Sequence, residues 1–332
     1  MKSLPLLLVL VALSAGPALA DLKTETVTRA SMVAGMGSTE INSVTQYQGD
    51  KRSDDHTMKM VGGVMGALAG KPQSSVEITR LDKGVVWDVN QPQKTYTERP
   101  ITALTGQEVK GGTKSGPAQK PYKIVKSDIK VTKTGATKTI NGFACTEYLI
   151  TWEVVLEDTA SKSQTTQVMT TDLWNTPLTD QLKQARDIEN AFGQEYAQKL
   201  GLGLSPEESN QLGASMLTSM YGLDSKETAD KLEEVGKEMA KVEGYPIVTD
   251  VKWQMKGDTT ARKTEAQAQP EEPPTSLGGL LANKLAPKPS SNPQDAGVMF
   301  SSHHEVKSVS LDAVPATAFE VPADYKKVDA KH

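Results

Sequence analysis

An α+β fold is what this sequence predicts: antiparallel strands with one apolar face, and amphipathic helices to cover it. Three observations carry that expectation. Runs of period-two alternation recur before residue 175 and again after 244. Turn signals such as Gly49-Asp50 and Asn141-Gly142 separate those runs at hairpin spacing. Between 177 and 243 the apolar period changes to three or four, as on one face of a helix.

The first twenty residues stand apart from the fold. Lys2 is followed by an apolar run from Leu4 to Leu13 and by Ala18-Leu19-Ala20. These are the basic region, apolar core and small-residue cleavage site of a secretory leader. The run is shorter than the ~20 residues a membrane span needs. A leader over 1–20 predicts a mature chain beginning at Asp21, exported to the periplasm or beyond, with 21–331 as a single domain. No cysteine follows the cleavage site, so the leader is not of the lipoprotein type. The full chain carries a formal net charge of −4, and the leader holds one Lys and no acid. The mature chain is therefore more acidic still. Nucleic acid is not an expected partner, since its binding rests on clustered Lys and Arg.

The strands follow in order. Leu22–Val33 and Thr39–Gln48 carry Thr, Val and Ile in loose alternation before the Gly49-Asp50 turn. Val76, Ile78 and Arg80 alternate with Glu77, Thr79 and Leu81. Val85, Trp87 and Val89 share one face, and Asn90–Gln93 turns the chain into Lys94–Glu98, which makes a hairpin. Residues 103–121 are rich in Gly, Lys, Thr and Pro and read as a linker. Strands resume at Tyr122–Lys133. Phe143–Leu156 is a long strand with Tyr148, Ile150, Trp152, Val154 and Leu156 on one side, and Ser163–Leu173 is another.

Leu178, Leu182, Ala185, Ile188, Phe192 and Tyr196 then predict a helix that starts at Thr176-Pro177, with Pro at its first position. Ser205 and Glu208 form a capping box for a second helix, and a third opens near Asp224. Ile247, Thr249, Val251, Trp253 and Met255 make the cleanest half-buried strand, with Val248, Asp250, Lys252, Gln254 and Lys256 opposite. Residues 258–297 are polar and Pro-rich, which predicts a disordered insertion. Inside it, LGGLLANKLA at 277–286 is an apolar island suited to an envelope protein or a membrane surface. Val298–Leu311 and a segment around Ala318–Val321 are the last expected strands.

Catalytic signatures are not evident. VGGVMGALAGK at 61–71 fails as a phosphate loop, with Met65 and Pro72 where Gly and Ser or Thr belong. It reads as an apolar loop at the mouth of the fold, either a lid over a hydrophobic cavity or an insertion. His303 and His304 are adjacent on a strand and point to opposite faces, which serves one metal poorly. His304-Glu305 lacks the second His of a zinc-protease motif, since Ser308 stands there. No cofactor, metal or catalytic residue is expected. Cys145 is the only cysteine, so no intrachain disulfide forms. Its strand position leaves open either a buried thiol or a bridge between two copies. Twelve methionines stand against four phenylalanines, and Met suits a surface that receives varied apolar ligands.

Five segments carry a resemblance: YQGDKRSD at 47–54, VVWDVNQPQKTYTE at 85–98, INGFACTEYLITWEV at 140–154, GYPIVTDVKWQMKG at 244–257 and FEVPADYKKV at 319–328. The chain resembles a group of bacterial secreted domains related to the outer-membrane lipoprotein carrier (LolA/LolB-like) fold. The resemblance implies a strongly curved antiparallel sheet, an unclosed half-barrel, with helices packed against its concave side and hydrophobic ligands held between. It brings no catalytic residue. The helical segment at 177–243 and the insertion at 258–297 depart from the carriers. The expected function is that of a non-enzymatic periplasmic binding protein for a lipid, an acyl chain or another hydrophobic ligand. The rival is a structural or interaction component of the envelope. Trp87, Tyr148, Trp152 and Trp253, with Met58, Met60 and Met65, are the candidate cavity-lining residues.

Overall fold

The computed structural model describes residues 21–31, 37–63, 66, 70–103, 122–158, 160–201, 235–257 and 297–329. The leader, the island at 277–286, Met65 and the helix starts at Ser205 and Asp224 lie outside the described residues. The strands are β1 (Leu22–Ser31), β2 (Ser38–Gln48), β3 (Lys51–Val61), β4 (Gln73–Arg80), β5 (Val85–Asn90) and β6 (Thr95–Pro100). They continue with β7 (Tyr122–Ile140), β8 (Phe143–Asp158), β9 (Gln164–Thr176), β10 (Tyr245–Gly257), β11 (Val298–Ser310) and β12 (Lys326–Lys327). All twelve belong to one sheet, in the order β12-β6-β5-β4-β3-β2-β1-β11-β10-β9-β8-β7.

That order is two antiparallel meanders, β1 to β6 and β7 to β11, joined edge to edge where β1 pairs with β11. The short β12 adds to β6 in parallel, so the sheet is mixed. Its end strands, β12 and β7, are not neighbours, and the sheet does not close. Local chemistry sets the tight turns. Asn141 and Gly142 have φ of 50° and 86°, the pair of positive values that a two-residue hairpin turn demands.

The expectation of a helix-covered α+β fold is corrected here. Strand dominates the described residues, and the helices do not form a layer. The long helix is α1 (Asp180–Lys199), with a further helical stretch at 235–239 and a 3-10 turn at Ala316–Phe319. Ala185 and Ile188 of α1 pack on Leu22, with Tyr47, Val309 and Leu311 beside them. Phe192 meets Tyr47 edge-on at 5.4 Å. A helix is about 10 Å wide, whereas twelve strands at ~4.8 Å spacing extend roughly 50 Å. The amphipathic stripe is real, but among the described residues this one helix reaches only the end of the sheet around β1, β2, β10 and β11, with Leu182 in the cluster of Tyr245, Ile247, Trp174 and Cys145. Val235 and Val242 cover a second patch, over Ile129, Tyr148, Ile150 and Leu173.

Two smaller expectations also change. Thr179, not Thr176, caps α1, and its hydroxyl accepts from the Leu182 amide at 3.3 Å. Pro177 therefore precedes the helix, and Leu178 is exposed. The segment around Ala318–Val321 is a 3-10 turn rather than a strand, because it turns Phe319 into the core.

Phe319 is 0% exposed and packs with Ile78, Trp87, Val89 and Val314. Arg80 fixes the same segment from β4. Its side chain is 6% exposed, pairs with Asp82 at 2.5 Å and with Glu320, and donates to the Phe319 carbonyl at 3.1 Å. Hydrogen bonds to Asp82 hold the guanidinium pKa above its usual value. Phe319→Ala should cost about 3–5 kcal/mol in a urea unfolding curve, the range for a buried aromatic lost from a packed core.

Cys145 is 2% exposed, in a cluster with Trp174, Leu182, Tyr245 and Ile247. Burial pushes its thiol pKa up. Its sulfur lies 3.4 Å from the Phe143 carbonyl. That environment suits an inert thiol rather than one poised to bridge two copies. The folded protein should react with a thiol reagent at least a hundredfold more slowly than the protein in urea, with the rate followed by absorbance. Equal rates would place Cys145 at an accessible surface.

Candidate functional site

Cross-strand pairing puts residues directly opposite one another on the same face of a sheet. One such row runs Leu149 (β8), Asp172 (β9), Asp250 (β10), His303 (β11), Arg29 (β1), Glu40 (β2) and Lys59 (β3). Two residues further along the strands, on the same face, a second row runs Thr151, Thr170, Lys252, Ser301 and Ser31. The rows are about 7 Å apart by strand geometry. All of these residues except Glu40, Lys59 and Thr151 floor an open groove of about 830 Å³, lined also by Gly37, Ser38, Val61, Gly62 and Gly63. The glycine at 37 is required: its φ is 108°, and a Cβ there would lie 2.5 Å from the Gly62 carbonyl oxygen.

The charges in this floor are unevenly matched. Nδ1 of His303 lies 2.7 Å from Asp250 Oδ1, and its Nε2 lies 3.5 Å from Glu305. Arg29 Nε donates to Glu40 at 2.6 Å, and Lys59 pairs with the same carboxylate at 2.7 Å. Hydrogen bonds from Lys59 and Arg29 bring the Glu40 pKa down to about 2. Burial would raise Glu305, but hydrogen bonds from Lys307, Asn141 and His303 outweigh it and also bring that carboxyl to about 2.

Asp172 is different. Burial pushes its pKa up, a hydrogen bond with Trp174 works against that, and the neighbouring Glu147 and Asp250 carboxylates push it further up. Its Oδ1 is buried without a hydrogen-bond partner. Among the described residues, Lys252 has no ion-pair partner. Leu149, 37% exposed, is one of the few large apolar side chains left open, and it lines the groove.

The residues chosen from the sequence lie elsewhere. Tyr148, Trp152, Trp253, Met58 and Met60 belong to the opposite face of the sheet. There Trp152, Met169, Trp253 and Phe300 form one cross-strand row, and Tyr148 stands opposite Leu173. Tyr148 is buried, and Trp152 packs beside it and donates to Ser127 at 3.0 Å. Met58 faces Ile41, and Met60 accepts from the Thr39 hydroxyl. Trp87 lies beneath Phe319 and donates to Glu98 at 2.8 Å. Of the apolar loop at 61–71, Val61, Gly62 and Gly63 do line the groove.

Sequence reasoning noted Asp250 and Lys252 as the polar side of a strand but missed the floor they belong to. The histidines do face opposite ways: His303 meets Asp250, and His304 meets the Thr28 hydroxyl at 2.9 Å. Among the described residues, no three His, Cys, Asp or Glu side chains gather as a metal site. No family model and no curated protein matches this chain. Among the described residues, no helix is long and apolar enough to cross a membrane.

Glu40 gives the floor a defined acid response. Its pKa is about 2 in the folded chain against 4.5 for a free side chain. The stabilisation from its two ion pairs is therefore complete above pH ~4.5 and lost as the pH falls towards 2. Melting temperatures taken from pH 5 to pH 2 should fall less steeply for Glu40→Gln than for the wild type, and the two should differ most at pH 5.

Proposed function

We propose that this chain is a non-enzymatic binding protein of the bacterial envelope, exported by its leader, that takes a ligand with an apolar portion in the groove. The groove itself carries the reading. Its volume of about 830 Å³ lies within the ~300–1,000 Å³ typical of small-molecule sites. Leu149 and Val61 offer apolar surface beside convergent polar groups, which is the usual make-up of such sites. The groove chemistry favours binding over catalysis. Both ring nitrogens of His303 face carboxylates, so neither is left to activate a hydroxyl. The ligand is placed in this groove, on the sheet face that α1 does not cover, rather than between sheet and helices.

Native mass spectrometry of the mature protein, purified from periplasm without detergent, tests the reading. Discrete lipid-sized masses should leave on activation, and the emptied protein should take up a fluorescent fatty acid. Leu149→Asp should weaken that uptake about tenfold, equivalent to roughly 1.4 kcal/mol. A chain that runs at its bare mass and takes up no fatty acid would overturn the proposal in favour of an envelope interaction protein.

A further inference from the structure

We propose that the polar floor of this groove binds the zwitterionic head of an amphiphile, with a primary ammonium at Asp172 and Asp250 and a phosphodiester at Lys252. The inference rests on the reading of the groove as a ligand site and adds the chemical class of the ligand.

The first argument is a missing cation. Asp172 and Asp250 stand directly opposite each other on β9 and β10. Like charges in that position repel. His303 Nδ1 lies 2.7 Å from Asp250, Arg29 beyond it is held by Glu40 at 2.6 Å, and Lys138 is the weakest of the groups that act on Asp172. Asp172 is left with Oδ1 buried and unpartnered. A buried carboxylate oxygen without a donor is costly, and a primary ammonium brings three donors at once.

The second argument is a cation without its anion. Lys252 is two residues along β10 from Asp250 and on the same face, about 7 Å away by strand geometry. Among the described residues no carboxylate pairs with it. The hydroxyl residues Thr170 and Ser301 flank it on the adjoining strands. An ammonium and a phosphodiester joined by two carbons fit within the span between these two positions. The exposed Leu149, in the Asp172 row, offers the surface for the apolar tail.

The same chemistry discriminates between heads. A quaternary ammonium has no N–H to give Asp172, and its recognition relies on aromatic cages. Among the described residues that line the groove, none is aromatic. Ethanolamine-type heads should therefore be preferred to choline-type heads.

Calorimetry on the delipidated mature protein tests this with lysophosphatidylethanolamine and lysophosphatidylcholine of one chain length. The ethanolamine form should bind at least tenfold tighter. Asp172→Asn should remove most of that preference, and Lys252→Ala should weaken both lysolipids about equally, at least tenfold, since both carry the phosphodiester. Equal affinity for the two lysolipids, an Asp172→Asn variant that keeps the preference, or a Lys252→Ala variant that binds both as tightly as the wild type, would overturn the head assignment while the groove reading stands. No binding of either lysolipid or of the fatty acid would overturn the groove reading itself. Glycerophosphoethanolamine separates two sources of the same chemistry. Much weaker binding than the lysolipid supports a lipid, and equal binding supports the free phosphodiester in the same head site.

Discussion

The ladder between β1 and β11 is the constraint on which the rest of the structure depends. Nine register pairs, from Lys23 opposite Ser310 to Ser31 opposite Ser301, join strands from the two ends of the chain. Within each meander the neighbouring strands are consecutive in the chain. A single sheet exists only because this seam forms between segments more than 250 residues apart. Pairings of such separation carry a large loop-closure cost before any contact rewards them. The seam is also not uniform. A register shift falls between Glu25 and Thr26, and Lys307 is the extra residue on β11. Bulges of this kind increase local twist and re-aim side chains.

The groove is a consequence of that seam. Arg29 and Ser31 come from the first meander, and Asp172, Asp250 and His303 from the second. They share one floor because β1 sits beside β11. The C-terminal segment then secures the first meander from outside. Val314 and Phe319 pack on Ile78, Trp87 and Val89, and Arg80 pins the backbone at Phe319. Asp21 contributes at the other end: its carboxylate accepts from the Val314 amide at 2.7 Å and from Gln48. Both ends of the described chain are thus tied to the same sheet.

Much of this was legible in the sequence, and the exceptions have physical causes. Alternation in 22–33, 85–98, 143–156 and 247–256 pointed to strands close to their observed bounds, because a half-buried strand imprints its period on the chain. The side of Phe143–Leu156 that carries Tyr148 and Trp152 was legible for the same reason. Alternation is silent on register. Nothing in the local pattern around Asp172, Asp250 or His303 says that they stand in one row, since that depends on two separate strand pairings, β9 with β10 and β10 with β11. Leu149 was passed over because it falls on the polar side of its strand. Helical periodicity at 178–196 showed an amphipathic helix, but periodicity does not show how much of a wide sheet one helix can cover. Phe319 misled because a four-residue window cannot separate a strand from a 3-10 turn.

The two faces of the second meander make opposite demands. On one, Trp152, Met169, Trp253 and Phe300 lie in a cross-strand row, where apolar contact is satisfied by proximity alone. On the other, charges must be paired in kind and position, and the pairing is incomplete. Glu40 has two cations, Asp250 has His303, Asp172 has an oxygen without a donor, and Lys252 has no carboxylate among the described residues. A folded chain can tolerate one such mismatch as strain. Here the unpartnered oxygen of Asp172, opposite Asp250 on β10, and the unmatched Lys252 two residues along β10 lie on one face of one groove. A molecule carrying both charges resolves both mismatches together, and a molecule carrying either charge alone resolves only one.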